Sequence, residues 1–177
     1  MNAQVLVAVL GVTTAAATTA AAEDLTRGLV GAWRLVSTEQ HLRDGTVRPS
    51  PLYGPNGVGY LIYSESGRMC AMLMDPSRVP WKADSPTDAE LRSTFEHFVA
   101  YCGRYEVSEK EKAVIHHVEM DLIPNSVGSD RKRYAVLEGN RLTLRPAEAL
   151  PTEVVEYTLT WERVDGVGAR QIKTKSK

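Results

Sequence analysis

The sequence predicts an all-β protein: a closed antiparallel β-barrel of about eight strands with one helix inserted between strands. Three observations carry that expectation. From residue 28 onward the chain runs in short stretches that alternate apolar and polar residues, the period-2 pattern of half-buried strands. Turn residues separate these stretches, and only one segment has helical spacing. An antiparallel sheet of that many strands in 177 residues would leave long edges unless it closed on itself. A closed barrel of this size has room for one small ligand.

The first strand is WRLVSTEQHL (33–42), ended by Arg43-Asp44-Gly45-Thr46. GYLIYS (59–64) passes through Glu65-Ser66-Gly67 into RMCAMLM (68–74), a hairpin signal because Gly67 tolerates the positive φ of a tight turn. Prolines throughout DPSRVPWKADSP exclude regular structure there. The helix follows in TDAELRSTFEHFVA (87–100), with Ser85 as N-cap, Pro86 in the first turn and Asp88 as the acidic member of a capping box. Leu91, Phe95 and Phe98 recur at helical spacing and predict a docked apolar face. Strands resume with AYCGRYEV (100–107), AVIHHVEMDL (113–122), RKRYAVLE (131–138), RLTLR (141–145) and VVEYTLTWERV (154–164). Glu138-Gly139-Asn140 joins two of them as a hairpin.

Outside the barrel, taken as residues 28–164, lie two terminal segments. Residues 1–22 hold a short apolar run, Val5 to Val12, then small residues up to Ala-Ala-Ala before Glu23. That is the layout of a secretory signal peptide, although no Lys or Arg precedes the run; an Ala/Thr leader that stays attached is the alternative. If the leader works, the protein is exported to a periplasm or secreted. The run is too short for a membrane span, and no Cys follows it, so no stable membrane anchor is expected. Residues 165–177 form a Gly-rich, then basic tail expected to be flexible.

Composition narrows the partners. With 21 basic and 22 acidic residues the formal charge is −1, which gives no footprint for nucleic acid. Cys70 and Cys102 fall in strands that can be neighbours, so they are either a disulfide formed in an oxidising compartment or two reduced, half-buried residues. The sequence leaves that choice and the oligomeric state open.

LVGAWRLVS (29–37) carries Gly31-x-Trp33 at the start of the first strand, and YTLTWERV ends the last strand with Arg163. GVGYLIYSESGRMCAMLM, AYCGRYEV, VIHHVEMDLIPNSVGSDRKR and LEGNRLTLR follow in order. Together these resemble the bacterial and fungal lipocalin-like domain family, over about residues 28–145 and more loosely in the last strand. The resemblance implies a calycin-type barrel whose closed end has Trp33 under Arg163, a cation–π contact. It also implies a small hydrophobic ligand, and some relatives are suspected cyclases or isomerases.

Strand alternation assigns faces. Val114, His116, Val118, Met120 and Leu122 share one face of their strand; Ile115, His117, Glu119 and Asp121 share the other. His116 is therefore expected inside and His117 in a charged outer stripe. Tyr101, Gly103, Tyr105 and Val107 are expected to point the same way, as are Val155, Tyr157, Leu159 and Trp161. Arg133 is placed inward only because the family usually has an Arg there. His116, Tyr101 and Arg133 are the candidate catalytic set: His116 as general acid or base, Arg133 to hold a carboxylate or oxyanion. Tyr60, Tyr105, Met120, Tyr157 and Asn125 are the candidate ligand contacts, with Asn125 most simply a turn residue. A hydrogen-bonded structural role for His116 competes with catalysis.

Two functions follow: a barrel that binds a small hydrophobic molecule, or a cofactor-free isomerase, cyclase or dehydratase acting on a hydrophobic metabolite. No cofactor is expected, because nucleotide fingerprints and a nucleophile elbow are missing from the sequence. No metal site is expected either, because adjacent strand histidines point apart.

Overall fold

The computed structural model describes residues 24–164; the leader over 1–22 and the tail over 165–177 lie outside the described residues. Strands β1 (Gly31–Leu42), β3 (Val58–Tyr63), β4 (Arg68–Met74), β5 (Phe98–Ser108), β6 (Ala113–Asp121), β7 (Asp130–Glu138), β8 (Arg141–Pro146) and β9 (Val154–Arg163) pair antiparallel in chain order. Pairing of β1 with β9 closes the ring. A short strand that the sequence did not announce, β2 (Val47–Pro49), folds back on the upper half of β1. The predicted closed barrel is therefore present, with β2 as an extra strand.

One end of the barrel is sealed. Helix α1 (Leu25–Gly28), capped by the Asp24 side chain, buries Leu25 and is followed by buried Leu29. Trp33 is fully buried above them, and its indole N–H donates to the Leu29 carbonyl at 2.9 Å. Arg163 lies over the Trp33 ring, its Cζ 4.2 Å from the centroid, and donates to the carbonyls of Val30 at 2.8 Å and Gly28 at 2.5 Å. Gly31 has φ +134°, and a Cβ there would come within 2.9 Å of an Arg163 nitrogen. Gly31, Trp33 and Arg163 thus occupy the closed end, where the resemblance placed them.

The helix differs from its prediction. It is α2 (Asp88–Glu96), and its cap is Thr87 with Glu90 in a complete capping box, not Ser85 with Asp88. Both pairs have the same spacing, and Thr87 wins because Glu90 is one methylene longer than Asp88 and reaches back to accept from the cap N–H. Leu91 and Phe95 remain exposed, and Phe98 is already in β5, so the expected docked face is not formed. Cys70 and Cys102 are directly opposite each other on β4 and β5 and form a disulfide, with Cα atoms 4.1 Å apart.

Among the described residues, three β-bulges interrupt the alternation of inward and outward residues. They fall at Val36 in β1, Glu119 in β6 and Val155 in β9, where one strand advances by a residue against its partner. Each bulge exchanges the two faces of its strand beyond that point. At the β6 bulge, Gly103 of β5 meets the His117 carbonyl so closely that a Cβ would lie 1.9 Å from its oxygen.

Candidate functional site

Above the sealed end the barrel holds a partly open cavity of about 160 Å³. Leu61, Leu73, Val99, Leu144 and Leu159 supply apolar wall, and Tyr53, Tyr101, Tyr157 and Trp161 supply rings. His116, Arg131 and Arg133 are the other polar residues on the lining.

His116 is at the bottom, 1% exposed. Its Nε2 lies 2.7 Å from the Tyr63 hydroxyl and its Nδ1 lies 2.9 Å from the Tyr101 hydroxyl. Alternation on β3, β5 and β6 brings these residues together, because Tyr63, Tyr101 and His116 all occupy inward positions. Burial pushes the His116 pKa down to about 3, helped by the positive charges of Arg133 and Arg131, so the ring is neutral at physiological pH. Burial likewise raises the pKa of both tyrosines, Tyr63 well above its ordinary value. With both ring nitrogens engaged, His116 offers the cavity no free nitrogen. Chemistry from this group has to pass through a tyrosine hydroxyl.

The two arginines stand above it on β7, at alternate positions of one face. Arg131 pairs with Asp121 at 2.6 Å and sits over the Tyr101 ring, its Cζ 4.3 Å from the centroid. Arg133 reaches both Glu148 carboxylate oxygens at 2.6 Å from one nitrogen, which also donates to the Lys132 carbonyl at 2.8 Å. Each arginine beside the apolar space thus has a carboxylate partner to compensate its charge.

Several predicted positions are different. Met120 is 64% exposed and Asp121 turns inward, because the β6 bulge exchanges their faces. Tyr60 is 51% exposed; the inward residues of β3 are Leu61 and Tyr63, and Tyr60 follows the opposite face. Asn125 is in an exposed 3-10 turn (Pro124–Ser126) away from the lining. Tyr105 points inward but below the cavity, where its hydroxyl donates to the Ser64 carbonyl at 3.0 Å and its ring meets Tyr63 edge-on. Val155 is exposed at its bulge, whereas Tyr157, Leu159 and Trp161 do line the cavity. Tyr101, His116 and Arg133 are brought together on the lining.

Sequence reasoning missed Tyr63, Arg131, Asp121 and Tyr53. Alternation with Leu61 was available for Tyr63, and alternation with Arg133 for Arg131. Tyr53 comes from the turn after β2, where no periodicity exists to reveal it. On the outer face His117 stands between Asp130 at 2.6 Å and Glu106 at 3.5 Å, in the charged stripe expected for it.

The chain is similar to several known proteins. The profile of the lipocalin-like domain family matches residues 30–164. The 4'-hydroxy-3'-methoxypropiophenone carrier protein ppsC of Aspergillus oryzae is 33% identical over 107 residues, covering 54% of this chain and 96% of the relative. Among solved structures, a lipocalin-like protein from Bacteroides uniformis has a TM-score of 0.40 at 11% identity, covering 77% of this chain and 99% of that one. The lipoprotein YedD from Klebsiella pneumoniae has a TM-score of 0.34 at 14% identity, covering 77% and 72%. The barrel closure, the Trp33–Arg163 seal and the profile match agree, and the chain belongs to the lipocalin-like domain family.

Proposed function

We propose that the protein binds a small, mainly apolar molecule of about one substituted aromatic ring in the barrel cavity. The observation that carries this reading is the partly open space of about 160 Å³ between a sealed floor and a wall of tyrosines, tryptophan and leucines. An apolar cavity of about 150 Å³ is sufficient to take up benzene, and pockets with few polar groups among apolar ones are the usual small-molecule sites. A relative named as a carrier of an aryl ketone supports the same ligand size and character. Binding without turnover is favoured over acid–base catalysis by His116, because both of its nitrogens are engaged and its pKa is far below neutrality. Export of the protein is part of the same reading, supported by the leader pattern and by the Cys70–Cys102 disulfide, which persists in oxidising compartments.

Native mass spectrometry of the purified protein tests the binding reading. A co-purified small molecule of about one substituted aromatic ring is expected in the wild type and is lost when Leu144→Trp fills the space. A ligand retained by the filled variant would place binding elsewhere.

A further inference from the structure

Hydrogen-bond bookkeeping around His116 says more about the ligand, given that the cavity binds one. A neutral imidazole has one N–H donor and one acceptor nitrogen, so one neighbouring tyrosine donates to it and the other accepts from it. Among the described residues, the Tyr63 hydroxyl has only the His116 ring as a hydrogen-bond partner, and Tyr63 does not line the cavity. If Tyr63 accepted, its own O–H would be buried with nothing to receive it, a cost of about 1–3 kcal/mol. Tyr63 therefore donates to Nε2, and the Nδ1–H of His116 donates to Tyr101. That leaves the Tyr101 O–H unspent, with no acceptor other than the His116 ring in range among the described residues.

Tyr101 does line the cavity. So does Trp161, whose buried indole N–H has no hydrogen-bond partner among the described residues. Arg131 and Arg133 add positive charge on the same lining, while the carboxylates of Asp121 and Glu148 are already taken up by them. The unfilled hydrogen-bonding capacity beside Tyr101 is thus its own O–H and the Trp161 N–H, both donors, in a field made positive by the two arginines.

We propose that the cavity selects ligands carrying an acceptor oxygen, a ketone or similar carbonyl on an apolar body, which receives the Tyr101 O–H and, where it reaches, the Trp161 N–H. This rests on the binding reading above and adds to it the functional group that the ligand must have. His116 acts here as a positioning residue: it fixes which way the Tyr101 hydroxyl points. An unfilled donor is satisfied on binding, so the acceptor contributes beyond apolar burial.

Propiophenone and propylbenzene differ at one carbon, carbonyl against methylene, and their dissociation constants are measured by quenching of intrinsic tryptophan fluorescence in the wild type and in Tyr101→Phe. The Kd ratio of propiophenone to propylbenzene is expected to rise about tenfold in Tyr101→Phe, the loss of one hydrogen bond of about 1.4 kcal/mol. An unchanged ratio overturns the acceptor proposal while leaving the binding reading intact; failure of both compounds to bind the wild type overturns the binding reading itself. The infrared carbonyl stretch of propiophenone bound to the wild type decides the matter even if Tyr101→Phe does not fold. It is expected at lower frequency than in hexane, and a hexane-like frequency would sink the proposal.

Discussion

The Tyr63 hydroxyl and the His116 Nε2 lie 2.7 Å apart with both side chains closed to solvent, and they tie β3 to β6 across the interior of the barrel. These strands are not neighbours in the sheet, so no backbone ladder joins them.

Removing the hydroxyl strands an imidazole nitrogen in the core. Tyr63→Phe should cost about 1–3 kcal/mol of stability, read as a lower urea midpoint with an unchanged denaturant slope. A midpoint equal to the wild type's would mean that this pair contributes no net energy.

Stability should fall in mild acid through the same group. An unfolded histidine titrates near its ordinary value of 6.5, and the buried ring near about 3. Between these limits the unfolded chain binds a proton that the folded chain refuses. The contribution of the neutral ring is therefore complete above the unfolded pKa and is lost as pH falls toward 3, by up to about 4 kcal/mol. Urea midpoints at several pH values, compared with those of His116→Gln, should separate this slope from that of the carboxylates; parallel curves for the two proteins would contradict it.

Gly103 makes the β6 bulge possible. Gly103→Ala drives a methyl group to 1.9 Å from the His117 carbonyl oxygen, and should cost about 3 kcal/mol or more or prevent folding. Gly45→Ala serves as the comparison, since its turn has open space around the new Cβ although its φ is +86°; about 1 kcal/mol is expected there. Thermal midpoints of the two variants should differ clearly, with Gly103→Ala the lower.

Reduction should weaken the barrel without dissolving its pattern. Cys70 and Cys102 are 32 residues apart in the chain, and a loop of that length corresponds to about 3–4 kcal/mol in the chain-entropy account. The Cys70→Ser, Cys102→Ser double variant should retain its strand signal in circular dichroism while its melting temperature drops. A variant as stable as the parent would show that the bridge is energetically idle.

Much of the site was legible because a strand's period is two. Tyr101, His116, Tyr157 and Trp161 are on the faces that alternation gave them, and Leu61 with Tyr63 followed the same rule even though Tyr60 was the residue singled out. Alternation failed at Met120, Asp121 and Val155, each beyond or at a bulge, where one added residue reverses the faces. Sequence offered one clue to the β6 bulge, Gly103 opposite it, but a lone strand glycine equally marks a tight bend at a barrel corner or the close approach of a ligand. Helix α2 kept its place and lost its docked face, because helical spacing records which residues could be buried and not whether the barrel supplies a surface for them.

What the sequence by itself determined is the barrel: alternating runs, turn chemistry and the Gly31-x-Trp33 and Arg163 ends are local features, and each is readable where it stands. Tertiary structure alone decided how the strands are tied to one another. It bridged Cys70 to Cys102, aimed Arg131 across Tyr101, and brought Tyr63 and Tyr101 to the two nitrogens of His116. Those contacts join residues 15 to 53 positions apart in the chain, and their geometry depends on strand register, which pairing and bulges fix only when the ring closes.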